Sequence, residues 1–394
     1  MDNSERIIID ILKVGIAKEP LIIDWDDIDL EEVHHELGMQ AISPMAFKWL
    51  DQSVITDQKL RGSWIDEILI TIYSWNAMLH EQDKLVNLLN RSGFKFVIMK
   101  GFANAALYPK PELRMSGDID FLVEWDKYEE VYKLLLQNGY ELVGEKDDKK
   151  HHVALKKNSI MYELHRQPGG TRRKQWWQVD FFQKGLQQAE CITLKGYTFP
   201  TFSVLHNGIM LLVHTRAHFA SGIGLRHLLD WLMYADKYLT DEFWNTEMKP
   251  IAEKFKVDEL AAAMSRCGQL YFGLLQGRSW CDYIDDIFCE NIITYMLKQG
   301  DFGKKAIFSD AQVKVIAESE GLGELFRRIN RSAEYSMPII KKYPILRPIG
   351  WIYQVGRYAH NATTKNHSME DFKKDIAEGN ERREFLDRLE VRKW

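Results

Sequence analysis

The run Gly117-Asp118-Ile119-Asp120-Phe121-Leu122-Val123 sets two carboxylates two residues apart at the start of a stretch that otherwise reads as a buried strand. Side chains alternate along a strand, so Asp118 and Asp120 share one face. Two like charges side by side at the mouth of an apolar segment are costly unless a cation neutralises them, which makes the pair a candidate divalent-metal site. A third acid, Glu163, lies inside Ile160-Met161-Tyr162-Glu163-Leu164-His165, where an ionised group in a covered strand is expensive unless it faces the same cation. An Asp-x-Asp alone is common on surface strands and there means nothing. The apolar continuation, a glycine upstream at a strand-to-helix turn and a third acid on a later strand give this one its weight. His165, two residues beyond Glu163, falls on the same strand face, either beside the site or packed.

Positioning these groups needs a sheet, and the pattern supplies one between two helical stretches. Residues 1–80 show helical spacing without strand alternation, for instance at Ile7, Ile8, Ile11 and Leu12. A longer helix is expected from about Ser63 to Leu89, with Trp64, Trp75, Leu79 and Leu85 on its apolar side and Gly93 as its stop. Phe94–Met99 reads as a strand, followed by Lys100-Gly101 and a helical turn through Ala103, Ala105 and Ala106 that Pro109 and Pro111 break. After the carboxylate strand, Asp126 is expected to cap a helix from Lys127 to Gln137 that Gly139 ends, with a strand near Tyr140–Gly144. Glu145–Lys150 reads as a surface loop. Residues 153–156 and 160–165 form a hairpin around Lys157-Asn158-Ser159, and Cys191–Leu194 and Tyr197–Phe199 form another around Lys195-Gly196. From Ser203 the pattern is helical, with a break at Tyr343-Pro344 and Arg347-Pro348 and a charge-alternating helix over the last twenty residues. The expectation is an α+β fold with a mixed-sheet core over residues 81–202, an N-terminal helical region over 1–80 and a mainly helical domain over 203–394.

Val97-Ile98-Met99-Lys100-Gly101, Leu107-Tyr108-Pro109, Arg114-Met115-Ser116-Gly117-Asp118-Ile119-Asp120 and Tyr162-Glu163-Leu164-His165 resemble, in this order, the motifs of a bacterial family of uncharacterised nucleotidyltransferases. Leu225-Arg226-His227-Leu228-Leu229-Asp230-Trp231 is similar to that family's helical portion, so the resemblance runs from about residue 60 to 240. The wider superfamily includes DNA polymerase β and the aminoglycoside nucleotidyltransferases. The resemblance implies a nucleotidyltransferase-like fold and transfer of a nucleoside monophosphate from an NTP to an acceptor hydroxyl, with release of pyrophosphate. It implies two Mg²⁺ ions, with Mn²⁺ as the alternative, held by Asp118, Asp120 and Glu163 as catalytic and metal-binding residues. Lys100, Gly101, Arg114, Ser116, Gly117 and His165 are implied on the nucleotide side. One departure stands out. The superfamily's usual Gly-Ser, whose serine contacts the triphosphate, is Gly101-Phe102 here, so phosphate binding must rest on other groups, such as free amides after Gly101 with Lys100 and Arg114 supplying charge.

Other clusters carry blander readings. His214 and His218 stand four apart on a helix, but no glutamate follows His214 to complete H-E-x-x-H, so they read as packing or cleft-lining groups. His151 and His152 open a strand, and a surface position is the simpler expectation. Arg226 and Asp230, again four apart, read as a helix pair. Lys149, Lys150, Lys156, Lys157 and Arg172-Arg173-Lys174 before Trp176-Trp177 are a basic and aromatic concentration, read first as solvated loop. With 52 Lys and Arg against 57 Asp and Glu in 394 residues, no global field draws the chain to nucleic acid or an anionic membrane. The four cysteines lack zinc or scaffold spacing, and no basic-then-apolar leader or run of about 18 apolar residues stands out, so a cytoplasmic protein is expected. The acceptor, whether small molecule, sugar or protein, and the oligomeric state are not written in these motifs. Two competitors remain: a catalytically silent module binding a nucleotide or partner on the same fold, and a kinase-like phosphotransferase, which lacks a suitably placed H-x-D loop.

Overall fold

The computed structural model describes residues 3–17, 23, 25, 28–144, 146, 151–171, 175–219, 222–301, 305, 322–337, 339–364 and 383–391. The chain divides into two compact units, residues 1–305 and 306–393. In the first, helices α1 (Asn3–Ala17), α2 (Leu30–Met39) and α3 (Ser43–Trp49) precede the long α4 (Gln58–Arg91). Asp57 starts α4 by accepting the amides of Lys59 and Leu60. Gly93, at φ +74°, takes the left-handed conformation that releases the chain into the sheet.

Seven strands follow: β1 (Phe96–Met99), β2 (Asp118–Val123), β3 (Glu141–Leu142), β4 (His152–Lys157), β5 (Ile160–His165), β6 (Glu190–Leu194) and β7 (Tyr197–Thr201). Their order across the sheet is β3-β4-β5-β2-β1-β7-β6. The β2–β5 and β1–β7 pairs are parallel and the others antiparallel, giving the mixed sheet expected. Alternation sorts the two faces. Ile119, Phe121 and Val123 of β2, with Tyr162 and Leu164 of β5, enter a core shared with Trp75, Leu79, Leu85 and Leu89 of α4. The intervening Asp118, Asp120, Glu163 and His165 are thereby turned to the opposite face. Both expected hairpins form, the first through Asn158 and Ser159 at φ 50° and 65°.

Between the strands lie the one-turn α5 (Gly101–Ala105), α6 (Tyr128–Gln137) and α7 (Trp176–Gln187). Two local expectations need correction. Asp126 does not cap α6: it sits inside a 3-10 turn, Trp125–Lys127, that leads into the helix at Tyr128 with Lys127 in the cap position. Trp176-Trp177 open an amphipathic helix, α7, that the basic cluster beside them concealed. Arg172, Arg173, Lys174, Lys149 and Lys150, and the Glu145–Lys150 loop apart from Lys146, lie outside the described residues.

Helices α8 (Val204–Phe219) and α9 (Leu225–Tyr238) cover the carboxylate face and are followed by further helices, including Asp258–Phe272 and Asp286–Gln299. α8 is buried nearly all round, as its run Ile209–Val213 requires. Gly170, at φ +83°, lets the loop after β5 touch α8. A Cβ there would come within 2.2 Å of the Val213 carbonyl oxygen. The second unit contains helices Leu322–Ser336 and Arg347–Thr364, with Gln354 donating to the Ser332 carbonyl (3.0 Å) and to Ser336 Oγ (2.8 Å). The expected break falls at Tyr343–Leu346, whereas Pro348 occupies the first turn of the following helix, where its missing N–H costs nothing. Of the last twenty residues, 375–382 and 392–394 lie outside the described set, and 383–388 are helical. Among the described residues no helix is long and apolar enough to cross a membrane.

Candidate active site

The parallel pairing of β2 with β5 puts Asp120 directly opposite Glu163, and Asp118 follows on the same face one pleat away. The third acid thus stands beside the other two. β4 pairs with β5 so that His152 is opposite His165. His165 is fully buried, and its Nε2 lies 2.8 Å from Asp120 Oδ1 and 3.1 Å from Glu163 Oε2. His152 Nε2 is 3.4 Å from Glu163 Oε1.

Lys100, between β1 and α5, has a backbone that a non-glycine residue rarely adopts, φ 51° and ψ −128°. Strain of this kind costs about 1–3 kcal/mol and persists where surrounding contacts enforce it. Here Lys100 Nζ donates to Asp120 Oδ1 at 2.7 Å. Burial opposes every charge in this cluster, and the neighbours decide which survive. Burial, together with Asp120 and Glu163, pushes the Asp118 carboxyl up to about 7. Asp120 is buried too, but Lys100 and His165 hold it well below the usual carboxylate range. Lys100 is raised against its own burial by Asp120, Glu163 and Asp118, and His165 is raised likewise by its bonds to Asp120 and Glu163.

Arg114, in the loop before β2, is buried and grips Asp230 of α9 in a fork: Nε to Oδ1 at 2.7 Å and Nη2 to Oδ2 at 2.5 Å. Its Nη1 donates to Ser116 Oγ at 2.9 Å, and the Tyr108 hydroxyl donates to Asp230 Oδ1 at 2.8 Å. The simple Arg226–Asp230 helix pair gives way to long-range partners. Arg226 reaches the Met115 carbonyl at 3.2 Å and Asp301 Oδ2 at 3.2 Å. The motif loop is therefore tied to α9 at Arg114 and Met115.

These groups surround a cavity of about 370 Å³, within the range of small-molecule pockets. Lys100, Gly101, Arg114, Ser116, Gly117, Asp118, Asp120 and Glu163 all line it, and His165 lies behind Asp120 and Glu163. The helical wall adds His214, His218 and His227, each held neutral by burial. His151 and His152 line it as well, which corrects their expected surface position: the hairpin register turns His152 inward beside His165. Sequence reasoning missed Asn104, on α5, which is buried against the cavity with neither end of its amide hydrogen-bonded. Its place three residues after Gly101 was the available signal. Phe102, standing where the superfamily has serine, turns away into the core and meets Trp75 edge to face at 5.2 Å.

The donors could hold a metal ion. Oxygens and one imidazole nitrogen from Asp120, Glu163 and His165 lie within 4.8 Å of one another, and the raised Asp118 marks a surplus of negative charge that a cation would relieve. The mixed seven-stranded sheet with its flanking helical regions is consistent with a nucleotidyltransferase-like α+β core. Residues 26–273, more than half of the chain, match the sequence model of the family described as uncharacterised nucleotidyltransferase, and the protein belongs to that family. No curated protein gives a significant match. Family membership supports a nucleotidyl-transfer role and hence an enzyme.

Proposed function

We propose that the protein is a metal-dependent nucleotidyltransferase that moves a nucleoside monophosphate from an NTP to an acceptor hydroxyl and releases pyrophosphate. The observation that carries this reading is the register of β2 and β5, which sets Asp120 against Glu163 with Asp118 one pleat away, all three open to one cavity. Mg²⁺ held there by Asp118, Asp120 and Glu163, as a pair of ions or with Mn²⁺ in its place, would supply charge to the triphosphate and activate the attacking hydroxyl. Lys100 holds Asp120 ionised in the free protein, and its ammonium becomes available to the phosphates once a cation takes over that carboxylate. Arg114 and Ser116 fix the loop that carries Gly117, so the backbone beside Asp118 is rigid. Asn104 offers an unpaired amide to the nucleotide, since a buried amide without partners favours a ligand that supplies them. Among the described residues no side chain takes the place of the usual phosphate-contacting serine, because Phe102 is core and α5 is a single turn.

The test is incubation with Mg²⁺ and each α-labelled NTP, scoring pyrophosphate and label on protein and on small molecules. Asp118→Asn and Asp120→Asn should each lower transfer at least about 100-fold. A second reading, a silent nucleotide-binding module, draws on the missing serine. It predicts nucleotide binding without pyrophosphate in the wild type.

A further inference from the structure

The sheet wall of the cavity carries two donors, His151 and His152, that the transfer reading leaves unused, and both lie beside His165. His152 and His165 are cross-strand partners, with ring centres 5.0 Å apart. His151, at the bend that opens β4, has its ring centre 4.4 Å from that of His152 and 5.7 Å from that of His165. One ring nitrogen from each of the three lies within 4.8 Å of the others. Nδ1 of both His152 and His165 is buried without a hydrogen bond, an uncommon condition for a buried polar atom. The other nitrogen of each faces an acid: His165 Nε2 meets Asp120 and Glu163, and His152 Nε2 meets Glu163. An imidazole held by a carboxylate at one nitrogen and bare at the other has the orientation of a metal ligand. Gly169 keeps the space beside His151 clear, since a Cβ there would come within 3.3 Å of its Nε2.

We propose that His151, His152 and His165 form a binding site for a borderline divalent cation of the zinc class, distinct in donor chemistry from the carboxylate site beside it. Three imidazoles favour zinc or cobalt over magnesium, which prefers oxygen donors. A tetrahedral zinc with bonds of about 2.0–2.1 Å sets its nitrogens about 3.3 Å apart, so the ring nitrogens, now within 4.8 Å of one another, need to draw in by up to about 1.5 Å. Asp120 and Glu163 then act on this cation through the histidines, orienting the rings.

The test uses the full chain stripped of metal and titrated with Zn²⁺ against a chromophoric chelator, with Co²⁺ as a spectroscopic probe. One equivalent of Co²⁺ should give the visible bands of a four- or five-coordinate nitrogen-ligated centre, and Zn²⁺ should shift the imidazole ¹⁵N resonances of the wild type. His151→Ala and His152→Ala should each weaken Zn²⁺ at least about 100-fold with unchanged circular dichroism. The wild-type resonances decide the matter if a variant misfolds. Equal Zn²⁺ affinity in wild type and variants, an octahedral all-oxygen Co²⁺ spectrum, or unmoved imidazole resonances would overturn the proposal. Asp118→Asn separates this site from the transfer reading, because it should abolish transfer while leaving Zn²⁺ affinity within about threefold. Transfer without Zn²⁺ binding removes the histidine site alone. Zn²⁺ binding without pyrophosphate from any NTP removes the transfer reading alone.

Discussion

Arg114 and Asp230 tie the loop carrying the acid motif to α9, and the strength of that tie can be measured by a double-mutant cycle. Arg114→Ala deletes both bonds of the fork and strands Asp230, a residue 7% exposed in the wild type, with the Tyr108 hydroxyl as a remaining donor. Stranding one partner of a buried ion pair costs about 3–5 kcal/mol, and the Tyr108 bond places this case at the lower end, about 3 kcal/mol. Asp230→Ala strands the guanidinium, which keeps Ser116 Oγ at 2.9 Å and the Met115 carbonyl at 3.4 Å, so about 3 kcal/mol is expected again. The double variant leaves no uncompensated charge, so its cost should fall about 2–3 kcal/mol short of the sum. Arg114→Lys keeps the charge but loses the fork and should cost about 1–2 kcal/mol. Urea unfolding of the full chain, followed by tryptophan fluorescence at pH 7.5, reads all four. Burial opposes ionisation of Asp230, yet Arg114 holds its carboxyl below the usual range. The coupling should therefore be full above about pH 4 and fade as pH falls through the lowered folded value. Costs that add to within about 0.5 kcal/mol at pH 7.5 would refute the reasoning.

Three further outcomes are expected. Because Asp118 is pushed up to about 7, the folded chain keeps a proton that the unfolded chain has released. Its contribution is present below about pH 4 and lost as pH rises to about 7, so the gain in thermal midpoint from Mg²⁺ should be larger at pH 8 than at pH 5.5. Equal gains would contradict the assignment. Burial lowers His206 to about 4, so the stability it contributes is whole above about pH 6.5 and is lost as pH falls toward 4. The decline in urea midpoint from pH 7 to 5 should be shallower in His206→Leu than in the wild type, and parallel declines would count against it. Phe102→Ser, which restores the superfamily's residue, should lower stability by about 3–5 kcal/mol without tightening NTP binding, since the side chain lies in the core against Trp75. A gain in NTP affinity would show that the side chain can reach the cavity.

Much of the architecture was legible because strand alternation and turn residues are local. The Asp118/Asp120 face, the Asn158-Ser159 and Lys195-Gly196 hairpins and the stop at Gly93 all follow from neighbours in the chain. α7 escaped because its opening Trp176-Trp177 sits next to a basic run and invited a loop reading, although Val179, Phe182 and Leu186 recur at helical spacing. Asp126 had the chemistry of a cap but not the backbone, since the preceding turn is 3-10.

From residue types and spacing alone came the acids, their common face, the strands and the helical flanks, since a period of two along a strand is a property of the backbone, whereas the mixed pairing of the strands was implied by the family resemblance. Tertiary structure decided which acid faces which, because register between β2 and β5 depends on pairing across more than 40 residues of intervening chain. It also drew His151 and His152 inward, matched Arg114 with Asp230 across 116 positions, and left Asn104 unpaired in the cavity. Contacts between distant segments are set by how whole elements pack, and no short window of sequence carries that information.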